Sequence, residues 1–157
     1  MLIFGLPPLA AVQLLWINLL TDSTCVISLT VEGSEENVMY KKPLALTGHL
    51  FSRNALLNML SDSLVIATLT LISFAFGGQS MAFATLVMIQ VFHSYNMKTQ
   101  QSLLKADFKT NKFMNFSSVL VLFISVFLVL TPAGMVFGLE TLSVGSFLLS
   151  LLLSIVI

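Results

Sequence analysis

Apolar residues run along this chain in blocks of about bilayer length, with short polar stretches between them. The blocks fall at about 9–31, 54–76, 81–97, 113–130 and 142–157. A helix needs roughly 20 mostly apolar residues to cross hydrocarbon, so each block predicts a membrane-crossing helix. The first polar stretch carries Glu32, Glu35, Glu36, Lys41, Lys42, Pro43, Gly48 and Arg53. A minimal turn, Gly77-Gly78-Gln79-Ser80, separates the second and third blocks. A second polar stretch holds Lys98, Lys105, Asp107, Lys109 and Lys112, and Thr131-Pro132-Ala133-Gly134 breaks the fourth block from the last. The pattern predicts an all-α membrane protein, a bundle of five transmembrane helices occupying residues 1–157 as one domain. Neither end of the sequence has the polar flank that usually closes a bundle, so the bundle is expected to be truncated at both ends.

Composition agrees with the pattern. Hydrophobic residues make up 57% and charged residues 9%, against about 25% charged in soluble domains. Mean hydropathy is +0.98. The formal net charge is zero, and no nucleic-acid partner is expected. The first residues, Met1-Leu2-Ile3-Phe4-Gly5, lack the basic region and cleavage site of a signal peptide. A single cysteine, Cys25, excludes an internal disulfide and reads as a small packing residue.

The placement of charge adds orientation. All seven Lys and Arg residues lie in the two polar stretches, at Lys41, Lys42, Arg53, Lys98, Lys105, Lys109 and Lys112. The Gly77–Ser80 turn has none, and the connection from Thr131 to Thr141 carries only Glu140. Alternation of basic and bare loops follows the positive-inside rule. The chain is therefore expected to be multi-pass, with its N-terminus extracytoplasmic and its C-terminus cytoplasmic.

The first block contains residues that are costly in lipid. Asn18, Thr21 and Asp22 stand at i, i+3 and i+4, which on an α-helix puts them on one face. Together they offer an amide oxygen, a hydroxyl and a carboxylate, the oxygen ligands that hard cations such as Ca²⁺ take. An acidic residue at mid-membrane costs about 2.5–3.5 kcal/mol on insertion scales, so it needs an ion, a cavity or a partner. The alternative is that Asp22 pairs with a lysine or caps a broken helix.

Several other polar residues have structural readings. Asn54, Asn58 and Asp62 form an i, i+4, i+8 stripe that reads as packing between helices. His93 shares a face with Gln90 and reads as an interfacial histidine. His49 has no nearby Cys or His, which argues against zinc. Trp16 reads as packing.

The run Leu6-Pro7-Pro8 through Gln13-Leu14-Leu15-Trp16-Ile17-Asn18-Leu19-Leu20-Thr21-Asp22-Ser23 resembles the sixth transmembrane helix of type II P-type ATPases, the family of the Ca²⁺ pumps. Val31-Glu32 with Glu35-Glu36-Asn37-Val38-Met39-Tyr40-Lys41-Lys42-Pro43 resembles the family's next cytoplasmic loop. Ala82-Phe83-Ala84-Thr85-Leu86-Val87 with Gln90-Val91-Phe92-His93-Ser94-Tyr95-Asn96 resembles its eighth helix. Val136-Phe137-Gly138 with Leu142-Ser143 resembles the outer connection before its tenth. The resemblance covers essentially the whole chain. It implies part of an ATP-driven cation pump, with Asn18, Thr21 and Asp22 as ligands for Ca²⁺ or a related cation. Two-site Ca²⁺ pumps add a Glu from the eighth helix. The matching position here is Gln90, so the resemblance points toward pumps that carry one Ca²⁺ per cycle. Gln90 is then either a ligand or an interhelical hydrogen-bonding group.

The sequence departs from the family after the Thr-Asp pair, where Ser23-Thr24-Cys25 stands without the usual Leu-Pro. The break that family helices show there must come from Ser23 and Thr24 or be weaker. The sequence also lacks an Asp-Lys-Thr-Gly-Thr phosphorylation motif, a Gly-rich phosphate loop and a nucleotide domain. Mg²⁺ and ATP would act only through domains absent from this chain, which is not expected to hydrolyse ATP alone. Its expected partners are the lipid bilayer and the remaining helices and cytoplasmic domains of the pump. The competing readings are a non-enzymatic membrane helical module and an inactive fragment of such a pump.

Overall fold

Hydrocarbon offers backbone amides no water, so an apolar run in lipid closes its hydrogen bonds internally as a helix. The computed structural model describes residues 9–30, 53–98 and 112–156, and these are almost wholly helical. His49, most of both polar stretches and the side chains of Asp22 and Cys25 lie outside the described residues.

The first helical rod has three parts: α1 (Ala11–Ile17), a five-residue π-helical turn (Asn18–Asp22) and α2 (Ser23–Thr30). Next comes α3 (Arg53–Lys98), which breaks at Gly77 and Gly78. Gly78 has φ 66° and ψ −158°, a combination essentially confined to glycine. The break folds α3 into two antiparallel arms, 53–76 and 79–98. The Ser73 and Thr85 hydroxyls show this directly, being 2.7 Å apart across a sequence separation of 12. A straight helix would hold them about 18 Å apart.

The helix α4 (Lys112–Leu130) ends at Thr131, and a 3₁₀ turn (Pro132–Phe137) follows. Gly138, at φ 69°, terminates the turn. Gly134 lies so close to the Leu128 carbonyl that a Cβ there would overlap it. The last helix, α5 (Val144–Ser154), begins two residues later than the sequence block because the Ser143 hydroxyl caps it, accepting the Ser146 amide at 3.2 Å. Its 11 residues rise about 16 Å. Among the described residues, α3 and α4 have the length and apolar character to cross a membrane.

The second arm of α3 is the centre of the bundle. Met81, Ala82, Phe83, Ala84, Thr85, Val87, Met88, Ile89 and Val91 are all buried. This arm meets α5 through Ser154, whose hydroxyl donates to the Thr85 carbonyl at 3.4 Å. It meets α4 through Tyr95, whose hydroxyl donates to Asn115 Oδ1 at 3.0 Å. The first arm is peripheral, with Leu56, Leu57, Leu60, Leu64 and Phe76 exposed. Asn54 and Asn58 are exposed too and Asp62 is half-buried, so that polar stripe does not pack between the described helices.

Polarity is turned inside out. Ser28, Ser73, Thr85, Ser117, Ser118, Ser125, Ser150 and Ser154 are buried, while Leu64 and Phe123 are each 69% exposed. A solvent of lipid tails favours this arrangement, because small hydroxyl residues let helices approach and bond across the contact.

The first rod is held to the rest at both ends. Gln13, fully buried, accepts the Ala10 amide at Oε1 (2.9 Å) and donates from Nε2 to the Phe137 carbonyl (3.2 Å). Trp16 lies against the Phe137 ring at 4.9 Å and 48°. Farther along, the Ser28 hydroxyl donates to Ser117 Oγ on α4 at 2.9 Å.

Two stability outcomes follow. Gly78→Ala is expected to destabilise the chain by about 1–3 kcal/mol through backbone strain, whereas Gly145→Ala is expected to be neutral or stabilising, since a Cβ there meets only Ser143 Oγ at 3.9 Å. Gln13→Met keeps the volume but strands the Phe137 carbonyl and the Ala10 amide, at an expected cost of about 1–3 kcal/mol. Reversible unfolding in mixed micelles measures all three; an unchanged midpoint for Gly78→Ala or Gln13→Met contradicts these roles.

Candidate functional site

The polar segment of the first rod coincides with its irregular turn. The Ser23 amide bonds to the Asn18 carbonyl, five residues back, instead of the usual four. Such π turns are rare and recur at functional sites. Side chains help to loosen this stretch. The Thr21 hydroxyl lies 2.5 Å from the Ile17 carbonyl, and the Ser23 hydroxyl 3.5 Å from the Asn18 carbonyl. Hydroxyl bonds of this kind compete with the helix's own amides. The sequence expects a break that comes from Ser23 and Thr24 or is weaker than in the family, and a full break at those two residues is not what forms. Instead, helix continues to Thr30 and the irregularity sits just upstream, within the candidate residues themselves.

The wide turn also separates residues that α spacing would unite. Thr21 is buried and Asn18 is exposed, so these two do not share a surface here. Asp22 closes the π turn with its backbone. Gln90, half-buried on the second arm of α3, meets Thr21: Gln90 Oε1 and Thr21 Oγ1 are 2.6 Å apart.

Thr21 carries one hydroxyl proton and faces two carbonyl-type oxygens, at Ile17 and Gln90. A single proton cannot serve both. The arrangement that satisfies every group turns the Gln90 amide over. Gln90 Nε2 then donates to Thr21 Oγ1, and Thr21 donates to the Ile17 carbonyl. The Gln90 amide oxygen is left as an acceptor beside the π turn. Among the described residues no three His, Cys, Asp or Glu side chains gather as a metal cluster. Among the described side chains, what meets at the π turn is the neutral pair Thr21 and Gln90.

Spacing alone did not reveal Gln13 or the Ser28–Ser117 contact. Gln13 carried one usable signal: a glutamine three residues after a helix start can reach back to the opening amide. Nothing local marks Ser28 as facing Ser117, 89 residues away. Trp16, read as packing, does pack on Phe137, and its Nε1 is buried with no hydrogen-bond partner among the described residues.

Comparison with known proteins places these features in a family. Residues 6–157 match the family described as cation transporting ATPase, C-terminus. Calcium-transporting ATPase 1 of Bacillus cereus is 29% identical over 95% of this chain and 20% of its own length. Calcium-transporting ATPase 1 of Saccharomyces cerevisiae is 30% identical over 96% of this chain and 17% of its own length. The calcium-transporting ATPase of Bacillus subtilis is 29% identical over 82% and 15%. The chain thus spans no more than about a fifth of the length of these curated relatives. It is an all-α, integral-membrane chain that belongs to the cation-transporting ATPase C-terminal family, and within it resembles the calcium pumps.

Proposed function

We propose that this chain is the C-terminal membrane portion of an ATP-driven pump for Ca²⁺ or a closely related cation, and that it supplies part of the ion site. The observation that carries the reading is the buried contact between Thr21 and Gln90 at an irregular turn of the first helix. It joins the two segments that the family resemblance singles out. The names of the relatives, calcium-transporting ATPases, support Ca²⁺ as the cargo.

In this reading Asn18, Thr21 and Asp22 offer oxygens to the passing cation, and Gln90 holds Thr21 or adds its own amide oxygen. Hard cations take six to eight oxygens, so the remaining ligands come from helices outside this chain. ATP and Mg²⁺ act in cytoplasmic domains outside it as well. The five blocks at about 9–31, 54–76, 81–97, 113–130 and 142–157 are its spans. The Lys-rich stretches face the cytoplasm, with the N-terminus outside and the C-terminus inside. The pump's other helices and domains are its partners.

Asp22→Asn in the complete pump polypeptide is expected to abolish cation-dependent phosphorylation by ATP. Retention of ion dependence in that assay would falsify the ligand assignment. Gln90→Glu is expected to raise the apparent cation affinity or to add a second bound ion per cycle, read by isotope binding at equilibrium. Unchanged affinity and stoichiometry remove Gln90 from the site.

A further inference from the structure

A π-bonded ring contains one residue more than an α-bonded ring. The helix is α on both sides of the Asn18–Asp22 turn, so the first rod holds a surplus residue confined within it. Both ends of the rod are pinned to the same neighbour. Gln13 donates to Phe137, just beyond the end of α4, and Ser28 donates to Ser117 within α4. The surplus therefore cannot leave by sliding the rod unless one of these bonds breaks. It can move along the rod with both ends in place.

Movement in one direction has a chemical consequence. Residues upstream of the turn follow the register of α1; residues downstream follow that of α2. Asn18 now sits at the upstream edge, exposed, while Thr21 is buried against Gln90. If the turn moves toward α1, Asn18 joins the downstream register. It then stands at regular α spacing from Thr21 and Asp22, and the three share one face. The Asn18 amide is shared between the Leu14 and Leu15 carbonyls, four and three residues back, so the wide winding starts only after it.

We propose that the π turn is a movable register defect, displaced toward α1 when a cation enters, so that Asn18 swings from the exposed side to the Thr21–Gln90 side while both ends of the helix stay fixed. The inference rests on the cation-site reading above and adds how the site assembles. The cation provides the bias, because only the displaced register brings the Asn18 amide oxygen to the Thr21 side as a further ligand, and a ligand shifts an equilibrium toward the state that binds it better.

The test uses the complete pump polypeptide, which brings the ligands of the other helices, in lipid nanodiscs titrated with Ca²⁺ to millimolar concentration, the range in which weak oxygen sites fill. Isotope-edited NMR follows the Asn18 carbonyl, the Ser23 amide and the Asn18, Thr21 and Gln90 side chains. A second sample carries Ser28→Cys and Ser117→Cys in a Cys25→Ala background, oxidised to lock α2 to α4. Expected are loss of the Asn18–Ser23 bond on Ca²⁺ addition, new proximity of Asn18 to Thr21, and the same response in the locked chain. If Ca²⁺ perturbs Thr21 and Gln90 while the Asn18–Ser23 bond persists, the movable turn is overturned and the cation site stands. A response lost on locking also overturns it, since the rod would then be sliding as a whole. Failure of the two cysteines to join overturns the pinned geometry on which it depends. No perturbation at Asn18, Thr21, Asp22 or Gln90 sinks the cation-site reading and the movable turn with it.

Discussion

Polar groups that lie in hydrocarbon are satisfied within the protein or not at all, because lipid tails offer no partner. That constraint explains why helices dominate the described residues and why the hydroxyls sit between helices instead of outside them. Ser73 with Thr85, Ser154 with the Thr85 carbonyl, and Ser28 with Ser117 each join two helical segments. Individual bonds of this kind average only about 0.6 kcal/mol in membrane helices. Their larger effect is geometric. Serine and threonine are small, so the backbones come close and dispersion contacts accumulate along the whole interface. The second arm of α3 gains most from this, lying between the first rod, α4 and α5, and its buried face carries Ala82, Ala84 and Thr85 beside the bulkier Phe83.

The same constraint fixes where irregular backbone is tolerated. Gly77 and Gly78 reverse the chain at an end of the bundle, and the 3₁₀ turn reverses it between α4 and α5. Among the described residues the one irregularity inside a rod is the π turn, and there Thr21 and Ser23 place hydroxyls on the loosened carbonyls. Gln13 does similar work at the rod's beginning, where it accepts the opening amide and also binds the α4–α5 connection. A leucine at that place would serve packing alone. The glutamine ties the axial position of the first helix to the 3₁₀ turn, and so sets the height of Thr21 relative to Gln90.

Much of this was legible in the amino-acid order. Apolar blocks of bilayer length anticipate helices at these places, Gly77-Gly78 marks the reversal within α3, and Thr131-Pro132 marks the end of α4. Those features are local and depend on solvent and backbone sterics. The π turn was not legible, because the rule that placed Asn18, Thr21 and Asp22 on one face assumes uninterrupted α geometry. One surplus residue defeats that rule, and no residue type announces it. The Asn54, Asn58 and Asp62 stripe shows the opposite failure. Its spacing is regular, but spacing cannot say which way a face points, and in the described chain this one turns outward. The late start of α5 lies between these cases: Ser143 is a natural cap, and the apolar block obscured it.

Charge separates the two sides of the candidate site. An amide stands at Gln90, half-buried against Thr21, where a carboxylate would set a negative charge in a medium of low dielectric. Burial raises a carboxylate's proton affinity, so a glutamate there would be neutral unless a cation stood beside it. With glutamine the difficulty does not arise, and Thr21 and Gln90 satisfy each other without an ion. In the proposed site, a divalent cation would find one carboxylate from this chain, that of Asp22. On that reading the balance would come from other helices of the pump. On that reading Thr21 and Gln90 close on each other while the cation is elsewhere, and the hold on a divalent cation would depend on acidic groups from other helices of the pump.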